Sequence, residues 1–262
     1  MKPLNTPVKL TVLGCGSSSG TPVINCDCPT CASTNPKNTR SRCSALVEVG
    51  EQHLVIDTGP DFRQQALRSG MKQIDAVLYT HPHADHLNGI DDLRAFCYKQ
   101  QAAIPIYGND FTVGNIQTRF DYAFFPPGQN WDKPVLSGHV IADAFDVAGT
   151  PILALDMPHG RWRCTAYRIG KVAWLTDIND ISDAQIDALQ GLDYLFLDCL
   201  RQESYPSHLG FDQAVGFAQR INAKQTYLIH MTHAFSYEAL SAQCPPGIEV
   251  AYDGLCVHTT LG

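Results

Sequence analysis

The sequence predicts an α/β protein whose sheets are covered on both faces, and three observations carry that expectation. Seven short apolar segments read as strands, four longer segments show helical periodicity, and the two kinds alternate along the chain. Most of the strand-like segments are continuously apolar rather than alternating, as in sheets buried on both sides. Five residues able to bind metal or move protons follow such runs: Asp57, His81, Asp177, Asp198 and His230. Strand ends gathered along one sheet edge bring such residues together on a rigid frame.

Taken in order, Val8, Leu10 and Val12 alternate with Lys9 and Thr11, the pattern of a half-buried strand. Leu54–Ile56, Ala76–Leu78, Ile152–Leu155, Val172–Leu175, Tyr194–Leu197 and Tyr227–Ile229 are the buried strand candidates. Helices are expected over residues 60–69, 90–98, 182–189 and 211–222. Residues 15–42 and 125–138 read as long loops of a single domain spanning residues 1–262.

Composition narrows the function. Apolar residues make up 44% and charged residues 17% of the chain, which rules out a charge-driven disordered protein. The net charge of −7 argues against a broad nucleic-acid face, because phosphate backbones are held by Lys and Arg. No apolar run approaches the ~18 residues that span a membrane, and the first residues lack the pattern of a secretory signal. A cytoplasmic protein without membrane partners is therefore expected. Ten histidines and ten cysteines point to metal chemistry, since thiols in a reducing compartment are ligands, reactive groups or buried small hydrophobes.

The strongest local signal is Thr80-His81-Pro82-His83-Ala84-Asp85-His86. His81 and His83, two apart on an extended loop, can face one ion, while Asp85 and His86 can reach a second. Nitrogen and oxygen donors in this mix suit Zn²⁺, Mn²⁺ or Fe²⁺. A second cluster, Cys26-Asp27-Cys28-Pro29-Thr30-Cys31, spaces three thiols so that they can wrap one tetrahedral Zn²⁺, with a disulfide or free thiols as the alternatives. His233, three residues after His230, is the attractive fourth ligand.

H-x-H-x-D-H after a strand, with Asp57-Thr58-Gly59 upstream, resembles the metallo-β-lactamase superfamily over nearly the whole chain. The resemblance implies a four-layer αββα sandwich with a two-metal site at one edge of the paired sheets. It implies that His81, His83 and His159 hold one ion, that Asp85, His86 and His230 hold the other, and that Asp177 bridges them. Asp57 would then fix the tautomer of a ligand histidine. Leu13-Gly14-Cys15-Gly16-Ser17-Ser18-Ser19-Gly20 resembles the start of the phosphodiesterase branch. The cysteine segment together with Ile229-His230-Met231-Thr232-His233 resembles the cyclic phosphodiesterases of bacterial phosphonate-degradation operons, the PhnP type. That family implies a structural zinc on Cys26, Cys28, Cys31 and His233, and homodimers are common in it.

His208 occupies the place of a family histidine that is not a ligand, suited to protonate a leaving alkoxide while near half-charged at neutral pH. Asp198 would orient it or support the metal shell. His208 and Asp85 are the expected catalytic residues. The stretch Cys199-Leu200-Arg201-Gln202-Glu203 departs from the phosphonate-operon pattern. The basic, Gly/Pro-rich insertion of transfer-RNA processing nucleases is missing. The expected function is metal-dependent hydrolysis of a small, cyclic phosphodiester rather than a large nucleic acid. The alternatives are a lactone or thioester hydrolase, a transfer-RNA-processing-like nuclease, and a non-catalytic metal carrier on the same scaffold. Cys15, Cys43, Cys97, Cys164, Cys199, Cys244 and Cys256 are expected to be buried thiols, and His53, His139 and His258 carry no assignment.

Overall fold

A computed structural model describes residues 1–126, 128 and 134–262. One sheet runs in the order β14 (Cys256–Thr260), β1 (Pro7–Gly14), β2 (Ser44–Val49), β3 (Gln52–Ile56), β4 (Ala76–Leu78), β5 (Ile104–Gly108) and β6 (Leu136–Val140). The other runs β13 (Ile248–Val250), β12 (Gln225–Ile229), β11 (Tyr194–Asp198), β10 (Val172–Leu175), β9 (Trp162–Ile169), β8 (Thr150–His159) and β7 (Ala144–Val147). Helices α1 (Phe62–Ser69), α3 (Leu93–Gln100) and α4 (Asp110–Arg119) lie against the first sheet. Helices α6 (Phe211–Ile221) and α7 (Tyr237–Ser241) lie against the second, with α5 (Asp183–Ala188) packed on α6. A short α2 (Ala84–Leu87) sits inside the histidine motif. The expected αββα sandwich is the architecture found.

Strand alternation explains why the apolar runs are continuous. Val47, Leu54, Ile56, Ala76 and Leu78 point between the sheets, where they join Tyr167, Trp174 and Phe196. Their neighbours Leu46, Val55 and Val77 point the other way, onto Phe62, Leu93 and Cys97 of the covering helices. A strand buried on both faces has no polar side, so its period of two is invisible in sequence.

The same topology positions the chemistry. β3, β4 and β5 are parallel, and so are β10, β11 and β12. Asp57, His81, Asp177 and His230 follow, and Asp198 closes, the carboxyl ends of these strands, so they share one edge of the sandwich. Asp57, Asp177 and His230 adopt left-handed backbone, with φ of 60°, 56° and 61°. Such residues cost about 1–3 kcal/mol each and gather at functional sites.

Every expected strand and helix is present; β4 and β10 match at both ends, and the other ends shift by up to four residues. Residues 90–92 form a 3₁₀ turn ahead of α3 rather than its first turn. β2, β5, β6, β7, β9, β13, β14, α2, α4 and α7 add to the expected set. The loop expected over 125–138 is shorter, because β6 begins at Leu136; residues 127 and 129–133 of it lie outside those described. Cys256 corrects the expectation of a buried thiol. It is exposed on edge strand β14, where it pairs with Thr11 on the outward face while its neighbour Val257 is buried. Cys244 is only half-buried.

Candidate metal centre

Thr80 ends the approach to the motif and locks it. Its backbone N–H and its hydroxyl donate to the two Asp57 carboxylate oxygens at 2.8 and 2.7 Å. Asp57 Oδ2 also meets His86 Nδ1 at 2.7 Å, which leaves Nε2 of that ring to face the site. Gly59 is required where the chain turns beneath this arrangement. A Cβ there would lie 1.9 Å from the Asp85 carbonyl oxygen, so only glycine lets α2 pack down on the Asp57 turn.

His81, His83 and His159 bring one donor atom each within 4.8 Å of one another. His81 Nε2 and His83 Nδ1 are 2.9 Å apart, too close for two filled lone pairs without a shared proton or ion. His159 is held by its Nδ1 contact to the Ser207 carbonyl at 2.8 Å. Asp85, His86, Asp177 and His230 form the adjoining cluster. Asp177 spans the two. Its Oδ1 lies 3.8 Å from Nε2 of both His81 and His159, and its Oδ2 lies 3.1 and 3.3 Å from Nε2 of His86 and His230.

Charge differs across the centre. Burial, reinforced by the neighbouring His86, pushes His81 well below the ordinary imidazole range. His83 and His159 are also lowered by burial, so this half presents neutral nitrogen donors. Burial opposes a charge on His86 as well, but Asp177, Asp85 and Asp57 outweigh it and raise that ring well above its usual range. Asp177 is held well below the carboxylate range, its burial overcome by His230, His86 and His81. A buried proton on His86 stands where a cation would satisfy the same carboxylates. Among the described residues, Nε2 of His86 and Nε2 of His230 are buried without a hydrogen-bond partner of good geometry. Buried orphan nitrogens cost free energy unless something fills them, so the donor set fits two divalent ions.

His208 lies beside this set. Its Nδ1 meets Asp198 Oδ2 at 3.2 Å, and its Nε2 is 3.9 Å from Asp177 Oδ1. Burial works against a charge on this ring, but Asp198 by its charge and hydrogen bond raises the group to about 9. Asp198 also takes the backbone N–H groups of Ile178 and Leu209 and lies 3.5 Å from His230 Nδ1, which couples the proton donor's support to the metal shell.

The cysteine cluster is a separate place. Sγ of Cys26, Cys28 and Cys31 lies 3.3, 3.5 and 3.5 Å from His233 Nδ1. The Cys31 N–H lowers Cys28 to about 6, while burial lifts Cys31 to about 11. The loop is tied down by Arg40, whose buried guanidinium donates to the carbonyls of Thr232 at 2.9 Å and Phe235 at 2.5 Å, flanking His233. Sequence reasoning missed Arg40, Thr80 and Ser207. Arg40 acts through its guanidinium, Thr80 through its N–H and hydroxyl at the head of the histidine motif, and Ser207 through its carbonyl, and no spacing pattern assigns those roles.

A family model described as a β-lactamase superfamily domain matches residues 52–231. The chain is 36% identical to an octanoyltransferase of Porphyromonas gingivalis over 95% of its own length but only 51% of that protein. It therefore spans about half of that relative. The crystal structure of a diphosphatase from the PhnP family superposes with a TM-score of 0.90 at 38% identity, covering 97% of each chain. Zn²⁺-bound PqqB from Methylobacterium extorquens shares the fold, with a TM-score of 0.77 at 19% identity over 95% of this chain and 99% of that one. The chain belongs to the metallo-β-lactamase superfamily, close to its PhnP members.

Proposed function

We propose that the protein hydrolyses small, cyclic phosphodiesters at a two-metal centre. The observation that carries this reading is Asp177, whose two oxygens face two separate donor clusters while His208 stands beside the first. His81, His83 and His159 would hold one ion, Asp85, His86 and His230 the other, with Asp177 shared. When bound, two divalent ions, zinc or manganese or iron, supply Lewis acidity and a deprotonated water for displacement at phosphorus.

The chain's residues do the rest. Thr80 and Asp57 fix His86, and the Ser207 carbonyl fixes His159, so the donors do not reorganise during reaction. Asp198 holds His208 protonated and aims its Nε2 towards the centre, where it donates to the leaving alkoxide. A strained five-membered cyclic phosphate fits this arrangement, since no long strand has to be threaded through the site. The charge of −7 supports a small substrate over a large nucleic acid. Cys26, Cys28, Cys31 and His233 would carry a structural zinc that orders the loop over residues 15–42. The ten free thiols suit a cytoplasmic setting.

A second reading, hydrolysis of a diphosphate bond, is favoured by the likeness to the PhnP-family diphosphatase. The two are separated by one panel. Purified protein loaded with Mn²⁺ or Zn²⁺ is assayed on ribose cyclic phosphate, bis(p-nitrophenyl) phosphate, a nucleoside diphosphate, a simple lactone and a glutathione thioester. Preference for the cyclic phosphate by at least tenfold in kcat/KM is expected, an arbitrary tenfold being about 1.4 kcal/mol of transition-state binding. Preference for the diphosphate, or for either carbon ester, overturns the first reading.

A further inference from the structure

The ligand histidines differ in what stands behind their rings. Nδ1 of His81 lies 3.0 Å from the Thr80 hydroxyl, and Nδ1 of His86 lies 2.7 Å from Asp57. Nδ1 of His159 lies 2.8 Å from the Ser207 carbonyl, and Nδ1 of His230 lies 3.5 Å from Asp198. His83 is the exception. Its Nδ1 faces His81 at 2.9 Å, and among the described residues nothing hydrogen-bonds its Nε2. Its ring meets His159 and Trp162 in T-shaped contacts, with centroids 5.2 and 5.9 Å away. The aim of this half-buried ligand therefore rests on its backbone.

Pro82 comes just before it and has no N–H, so its carbonyl is the one hydrogen-bonding group by which residue 82 can be tied down. That carbonyl accepts from Arg119 Nη1 at 2.8 Å. The other arm of the guanidinium, Nη2, donates to Asn88 Oδ1 at 2.7 Å. Asn88 closes α2, with its own N–H on the Ala84 carbonyl. One planar group thus bridges the two ends of the segment that carries His83, Asp85 and His86. The sheet holds the loop from the other side, where the Thr165 N–H donates to the Thr80 carbonyl and the Gly89 N–H to the Thr58 carbonyl, both at 2.8 Å. Between those ties, among the described residues, Arg119 is the one side chain that holds the loop backbone. It comes from the last turn of α4, a helix that supplies no ligand, and its guanidinium rests over the Phe120 ring at 5.5 Å.

We propose that Arg119 is a positioning residue for the first ion, its two-armed hold on Pro82 and Asn88 setting the direction in which His83 presents Nδ1. This rests on the two-metal reading above. A lysine cannot replace it, since an ammonium is a point donor and the two acceptors need a fork. The sign of the effect separates this role from an electrostatic one. A guanidinium repels a nearby divalent cation, so through charge alone its loss would tighten metal binding. Loss of the staple weakens it.

The test is the Mn²⁺ affinity of chelator-treated protein, read from the electron paramagnetic resonance of the free ion. Manganese suits the His/Asp donors and leaves the thiolates aside. Wild type is compared with Arg119→Ala, Arg119→Lys, Asn88→Ala and Thr118→Ala, whose hydroxyl contacts its own helix. Arg119→Ala should weaken binding roughly 10-fold, the low end of what losing a group behind a ligand costs. Asn88→Ala should weaken it roughly threefold, the worth of one hydrogen bond, and Thr118→Ala should not change it. Arg119→Lys should recover only part of the loss. The melting temperature of metal-free Arg119→Ala should fall by no more than about 4 °C, as for one surface contact. Unchanged or tighter binding in Arg119→Ala, full recovery by lysine, or a larger fall in melting temperature overturns the assignment. If wild type binds no Mn²⁺, the two-metal reading fails, and hydrogen exchange of residues 80–90 in the metal-free protein decides the staple separately. Faster exchange there in Arg119→Ala supports it; unchanged exchange overturns it.

Discussion

The two candidate metal sites sit within three residues of each other in sequence, at His230 and His233, yet they are built in opposite ways. The His/Asp centre hangs from the ends of parallel strands. Its side chains are buried, apart from the half-buried His83 and Asp85, and Asp57, Thr80 and the Ser207 carbonyl hold two of its histidines before any ion arrives. The cysteine cluster sits on a long loop with no strand of its own, and three of its four ligands come from six consecutive residues. Arg40, with Asn35, Lys37 and Asn38, ties that loop to residues 232–238, the segment that follows His230 and bears His233. The difference teaches where each ion's binding energy goes. In the first site the sheets supply the order and bound ions would supply chemistry. In the second a bound ion would add to the loop's order, as in small zinc modules.

The sharpest way to break this comparison is Asp177→Ala. One oxygen of Asp177 faces each donor cluster, so its loss should remove turnover to background and release ions from the His/Asp centre, while the melting temperature changes little. Elemental analysis and an activity assay check it. A variant that keeps its activity means the two clusters do not share that carboxylate.

His208→Ala should come next, with metals retained and a loss of roughly 10²–10⁴-fold on ribose cyclic phosphate. On bis(p-nitrophenyl) phosphate the loss should be far smaller, because that leaving group needs no proton. The pH profile gives the sign. The donor must be protonated, so the rate on the cyclic phosphate falls as pH rises through its pKa. Asp198 sets that value near 9, and bound cations would pull it lower, so the alkaline limb should lie at or below pH 9 and vanish in the variant. Equal losses on both substrates would make His208 a ligand or a positioning residue.

Asp57→Ala should weaken metal affinity or activity by about 10- to 100-fold, the usual cost of losing a residue that orients a ligand histidine. Competition with a chelator measures it. Cys28→Ser should affect turnover least and stability most, lowering the melting temperature by roughly 2–4 °C for each kcal/mol of lost loop order. An unchanged melting temperature and an unchanged zinc count would contradict the ordering role.

The difference in construction also decides what could be read from the sequence. His81, His83, Asp85 and His86 were visible because four donors fall within six residues, and the strand ends at Asp57, Asp177 and His230 were visible because buried parallel strands are short apolar runs. Cys26, Cys28 and Cys31 were visible by spacing alone. What stayed hidden acts through space. Arg40 joins its loop to residues 192 and 195 positions away, and no local pattern marks it. Trp162 shares a face with His159 only because the turn between them holds two residues, a register fixed by the hairpin. Cys256 looked like a buried thiol because a half-exposed edge strand shows few residues from which to judge its outward side. The charge on His208 depends on Asp198, which chain topology rather than spacing brings to 3.2 Å.

The most direct measurement is a divalent-metal count on protein purified without chelator and then supplied with Zn²⁺, made in parallel on wild type, Asp177→Ala and Cys28→Ser. Two ions at the strand ends and one on the thiols predict three equivalents in wild type, with losses from different sites in the two variants and activity surviving only in Cys28→Ser. A wild-type chain that never holds more than one equivalent, or variants that lose the same ion, would contradict a two-metal centre standing apart from a structural zinc.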